Sequence, residues 1–533
     1  MHRPHFRRVL ALAVAALLLA VSCTTDDGTD EFDASPTGAD ATGPGASGAD
    51  PVLRIVNSYT VNSLDPALAG NQWLFDFGAS EAPLARNEAG ELEPWLIEEI
   101  ESIDPTTWHL TLYPDVTFQH GGAVDAEALA ASINRQIEQA ANAVQLEGSV
   151  ATALDDLVVE LTTPEPNANV PAALAERGAF PVYDVSIVDE VDGDSDALIG
   201  TGFYTGPYAI TDWTPEYLEL ARNDNYWNGE PPLAGIEVEV VSDESARILA
   251  VRSGEADMAM YPPLEAGAVL AGDDSATLLA SELALQSIQM PLNLQSPPFD
   301  ERDTRKAFAL SLDYEELGTD VTAGMFEPAR GLYPPGLPYT VDTFDQDLDE
   351  AAALLDAAGW TLGSDGVRTR DGERLEVIVL PTAQGPETQP LAIAIQAQAA
   401  RVGFDVRIVN VEDQAEAMDD PDGWNAALQL SGTVSGTGDP IDPFARNFAS
   451  DGDRNSGGIS NPELDEIAHL LPTEFDEEAR EDLLRRAQEI VGDEEVYVLV
   501  AAYKRFMFVV SPEYADYEVS SFRRHITMDT RPS

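Results

Sequence analysis

A single cysteine, Cys23, occurs in the 533 residues of this chain, so no intramolecular disulfide can form. The fold must therefore be held together by the burial of apolar side chains. Hydrophobic residues are plentiful and make up 44% of the sequence. The chain is too long for one core, because single hydrophobic cores stop growing near about 250–300 residues. We expect several structural units in this chain, each with a core of its own.

The cysteine follows a segment typical of protein export. Arg3, Arg7 and Arg8 precede an apolar run over residues 9–21, and this run is shorter than the roughly 20 residues that a membrane span needs. Small residues followed by Cys23 resemble a bacterial lipobox, although Ala20 stands where Leu is usual. This resemblance implies a lipoprotein signal peptide at 1–22 and lipidation of Cys23. The alternative is an ordinary secreted protein with an incidental cysteine.

Composition separates a tether from the globular part and limits the partners. Residues 23–51 consist mostly of Asp, Gly, Thr, Ala, Ser and Pro, which predicts an acidic, flexible tether. The chain has 95 acidic and 29 basic residues and a formal net charge of −66, so we expect no nucleic acid as a partner. Its only lysines are Lys306 and Lys504. This balance is typical of a halophilic acidic surface, on which salt screens the self-repulsion.

The apolar periodicity predicts alternating strands and helices, and therefore the α/β class. Residues 375–380 read as a strand, 390–402 as a helix stopped by Gly403, and 404–409 as the next strand. This order predicts a β-α-β unit with parallel strands. Alternation around Trp108, Leu110 and Leu112 predicts a half-buried strand in an earlier unit.

Helix boundaries are predicted from capping residues. Asp125 is a candidate N-cap for a helix with Leu129 and Ile133 on one face. Ser242 is the candidate cap of a later helix that Gly254 ends. A helix over 477–491 is expected to stop at Gly492.

The sequence contains no recognisable catalytic or metal-binding pattern. It has no GxSxG, HExxH, Walker A or strand-linked GxGxxG motif. The histidines beyond the signal segment are not at metal-ligand spacing; they are His109, His120, His469 and His525. We therefore expect no enzyme, no cofactor, no catalytic residue and no metal site.

A collinear series of short motifs carries the functional information. The series comprises Leu64-Asp65-Pro66, Glu93-Pro94-Trp95, Phe118-Gln119-His120-Gly121, Thr205-Gly206-Pro207-Tyr208, Asn225-Tyr226-Trp227-Asn228, Ser253-Gly254-Glu255-Ala256-Asp257, Arg305-Lys306-Ala307 and Asn461-Pro462-Glu463-Leu464. In this order and spacing the chain resembles the extracytoplasmic solute-binding proteins of the dipeptide/oligopeptide/nickel family (family 5) of ABC importers. The resemblance extends over residues 52–525.

The resemblance implies a periplasmic-binding-protein-like fold with two α/β lobes joined by a hinge. Lobe I would comprise 52–85, 197–288 and 503–525, lobe II would comprise 289–502, and an extra domain over 86–196 would pack on lobe I. The hinge strands would lie near 286–294 and 500–508.

The resemblance also implies a binding site between the lobes. Aligning Asp439-Pro440 with the Asp-Pro of the dipeptide binders places Gly436 where their amine-binding Asp stands, which weakens the assignment to peptides. A sugar, an opine, a nickel chelate or another small polar metabolite stays open as the solute. The candidate ligand contacts are Tyr59, Trp73, Tyr204, Asn293, Gln429, Ser431, Thr433, Ser435 and Asp439.

Together these features predict a lipid-anchored solute receptor on the outer face of the cell membrane. Its expected partners are a peptide or small-molecule solute, the permease subunits of an ABC importer and, through the lipid on Cys23, the membrane. We expect it to be a monomer. The alternatives are a sensory or scaffolding lipoprotein of the same fold, or an enzyme on this fold.

Overall fold

The computed structural model describes residues 50–59, 61–68, 70–383, 385–431, 434 and 439–533. The predicted signal peptide 1–22, Cys23 and the tether up to residue 49 lie outside the described residues, and their assignments stay predictions. Among the helices in the described ranges, none is long and apolar enough to cross a membrane.

The strands of the described residues extend along the chain from residue 52 to residue 510. In chain order they are β1 (Val52–Asn57), β2 (Leu84–Arg86), β3 (Leu92–Pro94), β4 (Ile97–Asp104), β5 (Thr107–Leu112), β6 (Val150–Ala153), β7 (Val158–Thr162), β8 (Tyr208–Thr214), β9 (Tyr217–Arg222), β10 (Gly235–Val240), β11 (Met258–Met260), β12 (Thr277–Ala280), β13 (Gln286–Pro291), β14 (Phe326–Pro328), β15 (Thr361–Leu362), β16 (Arg368–Arg370), β17 (Glu373–Arg374), β18 (Glu376–Pro381), β19 (Asp405–Ile408), β20 (Ala426–Ser431), β21 (Val498–Lys504) and β22 (Met507–Val510).

The α-helices lie mostly between strands. They are α1 (Gln72–Asp76), α2 (Ala126–Gln139), α3 (Val170–Leu174), α4 (Val185–Glu190), α5 (Ser195–Leu198), α6 (Glu244–Ser253), α7 (Ala266–Val269), α8 (Arg302–Leu310), α9 (Leu348–Ala357), α10 (Thr388–Ala399), α11 (Gln414–Met418), α12 (Ile441–Phe448), α13 (Pro462–Leu470) and α14 (Glu477–Gln488).

A seven-stranded sheet, called the first sheet below, has the strand order β12-β22-β11-β1-β10-β9-β8. Its centre is parallel, because β1 pairs in parallel with both β10 and β11, and α6 connects these two neighbours. Leu53 and Ile55 of β1 are fully buried and belong to a core that also contains Phe508 of β22. The C-terminal strand β22 is thus an internal strand of a sheet that begins at residue 52.

A six-stranded sheet, called the second sheet, has the order β14-β21-β13-β20-β18-β19. The β18-α10-β19 segment has parallel register, with Val377 opposite Val406, so the predicted β-α-β unit is confirmed. Gly403, which follows this helical segment, has a φ of 104°, the left-handed conformation that favours glycine at helix ends.

A smaller four-stranded sheet, in the order β4-β5-β7-β6, lies within residues 97–162. Trp108, Leu110 and Leu112 of β5 are buried, as their alternation predicts, and they pack with Leu129 and Ile133 of α2. The side chain of Asp125 accepts a hydrogen bond from the backbone N–H of Ala128, so the predicted cap of α2 is confirmed.

Two connections join the first and second sheets. Residues 281–285 lead from β12 into β13, and residues 505–506 lead from β21 back into β22. Strands β13 and β21 pair with each other, with Gln286 opposite Lys504, so the two connections lie side by side. The domain boundaries expected from the sequence remain a prediction beside this sheet arrangement.

Two predicted helix boundaries are wrong. Helix α6 is capped by Asp243 rather than Ser242, because the Asp243 carboxylate accepts from the N–H of Ala246. The helical segment after α14 does not stop at Gly492 but continues as a π-helical turn over 489–494. A Cβ on Gly492 would come within 2.6 Å of the Thr343 hydroxyl, so this glycine permits close packing and does not end a helix.

Candidate functional site

A cavity with a volume of about 890 Å³ lies between the first and second sheets, beside the two connections. Its walls come from residues that follow β1 and β11 on one side and β18 and β20 on the other. These are the carboxyl ends of parallel strands, where ligands bind in open α/β sheets. The volume falls within the range of about 300–1,000 Å³ that accommodates small-molecule ligands.

Aromatic rings form part of the wall on the side of the first sheet. Tyr59, just beyond β1, stacks on Trp73 of α1 with ring centroids 4.7 Å apart. Tyr261, directly after β11, meets Tyr59 edge-on at 5.1 Å and Phe506 at 6.5 Å. Tyr261 has a φ of 54°, which is uncommon for a bulky residue.

The charge of this cavity differs from that of the chain as a whole. Among the described residues, five basic and four acidic side chains line it, although the sequence has 29 basic and 95 acidic residues. The basic residues are Arg177, Arg247, Lys504, Arg505 and Arg523, and the acidic ones are Glu176, Glu244, Glu265 and Glu387. The cavity therefore concentrates cations in a strongly acidic protein.

Three of these cations are held by neighbouring groups. Arg247 donates to the backbone carbonyls of Met260, Val241, Ser242 and Tyr261 over distances of 2.6–3.2 Å. Lys504 pairs with Glu387 at 2.7 Å. Arg505 pairs with Glu327 and donates to the carbonyl of Ser281 at 3.0 Å. These contacts fix the cavity wall and the connection between β21 and β22.

The remaining two cations surround one buried carboxylate. Asp76, at the end of α1, accepts from Nε and Nη2 of Arg177, the second bond measuring 2.8 Å. Nη1 of Arg523 lies 4.0 Å from the same carboxylate. Burial raises the pKa of Asp76, whereas Arg177 and Arg523 act to lower it. The group of Asp76, Arg177 and Arg523, called the charge cluster below, formally carries one positive charge.

The wall contributed by the second sheet is largely apolar. It includes Met325, Phe326, Leu430 and Val434, and Glu387 lies beside them at the start of α10. Within the described ranges, no group of three or more His, Cys, Asp or Glu side chains is placed to hold a metal ion.

The structure places some of the sequence-predicted contact residues near this cavity. Tyr59 lines it, and Trp73 lies behind Tyr59. Tyr204 is fully buried in the core beneath the first sheet, where its ring lies 4.1 Å from that of Phe203. Asn293 is also fully buried and donates to the carbonyls of Pro421 and Trp424.

The other predicted residues come from β20 and the segment after it. Gln429 donates to Sδ of Met418, and Asp439 accepts from the N–H of Ile441 and lies 3.9 Å from Arg86. Ser431 ends β20, and Thr433, Ser435 and Gly436 lie outside the described residues. Ligand contact through any of the nine predicted residues stays a prediction.

Sequence reasoning missed the cationic part of the cavity, above all Arg177, Tyr261 and Arg523. These residues are far apart in the chain and belong to no recognisable motif. The available signal was the scarcity of basic residues, which makes each buried arginine informative in a chain with a charge of −66.

Comparison with known proteins identifies relatives along most of the chain. The model of the family described as bacterial extracellular solute-binding proteins, family 5 middle, matches residues 91–455. The dipeptide-binding protein DppE of Bacillus subtilis is 25% identical, with 85% of this chain and 87% of the relative covered. The nickel-binding periplasmic protein of Escherichia coli is 27% identical, with 86% and 90% covered.

A solved structure shows the same fold. The crystal structure of NikA from Brucella suis in complex with Fe(III)-EDTA aligns with a TM-score of 0.80 at 23% identity. The alignment covers 91% of this chain and all of that chain. The fold is therefore the mixed α/β fold of the two-lobe periplasmic binding proteins, as expected from the sequence.

Proposed function

Because this chain belongs to family 5 of the bacterial extracellular solute-binding proteins, we propose that it captures a peptide or another small polar solute and delivers it to the permease of an ABC importer. The observation that carries the proposal is the cavity of about 890 Å³, whose walls come from both sheets. A solute in this position contacts both halves of the protein at once, which is what a closing receptor requires.

Closure requires a hinge, and the two adjacent connections are suited to that role. We place the hinge at 281–285, which directly precedes the expected hinge strand near 286–294, and at 505–506, which lies within the expected hinge strand near 500–508. The proposed lobe I comprises 52–85, 197–288 and 503–525, lobe II comprises 289–502, and the extra domain comprises 86–196. Few backbone dihedrals need to change for one lobe to rotate, because only two chain segments cross between the sheets.

We propose that the protein is held at the outer face of the membrane by lipid on Cys23. The support is the export segment and the lone cysteine after Ala20-Val21-Ser22. Expressing Cys23→Ala in a bacterial host should move the protein from the membrane fraction to the soluble extracytoplasmic fraction. Unchanged membrane retention of the variant would contradict lipid anchoring.

Solute capture is tested with the full chain purified in mild detergent. Mass spectrometry of the solute released on denaturation should identify a small molecule held in stoichiometric amount. Adding that solute back to emptied protein at a hundredfold excess over Kd should stabilise the fold by about 2.7 kcal/mol. Small-angle scattering should show the particle contract. A protein that binds no solute, or that releases it chemically changed, would overturn the proposal.

A further inference from the structure

Arg523 is held in the cavity wall by an unusual backbone conformation. Its φ is 64°, in the left-handed region, which is unfavourable for a residue with a side chain. The guanidinium lies 4.6 Å above the ring of Phe506 and 5.7 Å from that of Trp73. Its side chain is only 13% exposed, and it faces the cavity. An unfavourable backbone conformation and a position in the cavity wall thus occur at the same residue.

Arg523 differs from the other cavity cations in its partners. Arg247, Lys504 and Arg505 all donate hydrogen bonds to neighbouring groups. The carboxylate of Asp76 is already taken by two donors of Arg177 and lies 4.0 Å from Arg523, too far for a hydrogen bond. In the part of the chain that the structure describes, the side chain of Arg523 has no hydrogen-bond acceptor. Its donors are available to a ligand.

We propose that Arg523 is the residue that receives a carboxylate group of the solute, and that a free carboxylate is what this protein selects. The inference rests on the proposed function. The planar guanidinium offers paired N–H donors that match the two oxygens of a carboxylate. Arg177 then acts as a positioning residue. Because it neutralises the carboxylate of Asp76, the positive charge of Arg523 is left uncompensated.

The charges around the cavity favour a carboxylate over a phosphate. Four glutamates also line the cavity, and they repel a doubly charged phosphate more strongly than a singly charged carboxylate. The charge cluster has one uncompensated positive charge, which matches a single carboxylate. The apolar residues of the opposite wall, including Met325 and Leu430, leave room for the uncharged part of the solute.

Matched pairs of probes test the selection for carboxylate on the unmodified full chain. The pairs are dialanine and its C-terminal amide, histidine and histidinamide, and glucuronate and glucose, together with the solute identified after purification. The carboxylate member of at least one pair should raise the melting temperature, and its neutral partner should have no effect. Equal stabilisation by both members, or a retained solute without an anionic group, would overturn the inference.

Variants test the assignment to Arg523. Arg523→Gln should weaken binding of the carboxylate solute about 10- to 100-fold, the range expected for a lost charged hydrogen bond. Arg523→Lys keeps the charge without the planar donors, so it should bind with intermediate affinity. Arg524→Gln is the matched control, because Arg524 is the next residue and also stacks on an aromatic ring, Trp95 at 3.9 Å, but does not line this cavity.

The outcomes separate this inference from the proposed function. If the wild type and Arg523→Gln bind the solute equally well, the inference is wrong and the receptor function stands. A wild-type protein that binds nothing removes both. Arg523→Gln is expected to fold, because Asp76 keeps Arg177 as its partner. If Arg523→Gln does not fold, the affinity of Arg523→Lys for the solute and the melting temperatures with the probe pairs test the inference instead.

Discussion

At the scale of single residues, the charge cluster is the most demanding feature of the cavity. Asp76 is 1% exposed, and its two oxygens are bound by Arg177. A buried charge without its partner is strongly destabilising, typically by about 3–5 kcal/mol. The negative charge of Asp76 therefore allows Arg177 and Arg523 to lie together beside the cavity.

Asp76→Asn should lower the free energy of unfolding by about 3–5 kcal/mol, because the buried guanidinium of Arg177 loses the carboxylate that it binds. Urea titration of the two proteins measures the difference. Asp453→Asn is the control: Asp453 also pairs with an arginine, Arg446, through two bonds, but its side chain is 63% exposed. Asp453→Asn should lower the free energy of unfolding by less than about 1 kcal/mol. Similar losses in both variants would contradict the role of burial.

His525 predicts a pH dependence of stability. It is 1% exposed, and neither ring nitrogen has a hydrogen-bond partner among the described residues. Burial, together with Arg523 and Arg177, holds its pKa well below the usual 6.5. The folded protein keeps His525 neutral whereas the unfolded chain protonates it below pH 6.5, so its effect is to destabilise the fold as the pH falls through that value.

The stability of the wild type relative to His525→Leu should fall by about 1.2 kcal/mol between pH 6 and pH 5. Unfolding titrations of both proteins at several pH values give this difference, and the contributions of other titrating groups cancel. A difference that is independent of pH would show that His525 does not resist protonation in the folded protein.

At the scale of helices and strands, the sequence predicts features that depend on neighbouring residues better than features that depend on residues far apart in the chain. The β18-α10-β19 unit and the cap of α2 are confirmed, because periodicity and capping depend on neighbouring residues. The cavity could not be predicted in the same way. The fold brings Arg177 and Arg523 to one carboxylate, and no sequence pattern predicts that these residues lie together. Gly492 misled the helix prediction because it serves packing against Thr343.

The start of α6 offers a direct test of a corrected boundary. Asp243→Ala should lower the free energy of unfolding by about 1 kcal/mol, because the N–H of Ala246 loses its acceptor. Ser242→Ala, one residue earlier, should change it by less than about 0.5 kcal/mol. Chemical denaturation of both variants distinguishes the two positions. A larger loss in Ser242→Ala would restore Ser242 as the cap.

At the scale of the whole molecule, charge dominates the surface. The 95 acidic side chains far outnumber the 29 basic ones, and single cations are shared, as when Arg486 pairs with Glu463, Glu489 and Glu494. The chain therefore carries a large excess of negative charge, and like charges repel one another. Salt shortens the reach of this repulsion from about 30 Å at 0.01 M to about 3 Å at 1 M.

The melting temperature should rise as sodium chloride increases from 0.01 to 1 M. Calorimetry across this range measures the change, and a parallel series in potassium chloride separates screening from effects of a particular cation. A melting temperature that stays constant or falls would show that surface repulsion does not limit stability.

The placement of β22 has a consequence for the order in which the protein is made. The first sheet begins with β1 at residue 52, but its internal strand β22 ends at residue 510. Residues 281–506, which separate β12 from β22, take about 10 to 50 seconds to synthesise. During that time β11 and β12 lack the strand that lies between them, and the second sheet is completed only six residues before the first, when its internal strand β21 ends at residue 504. The half that the ribosome starts first is therefore the half that is completed last.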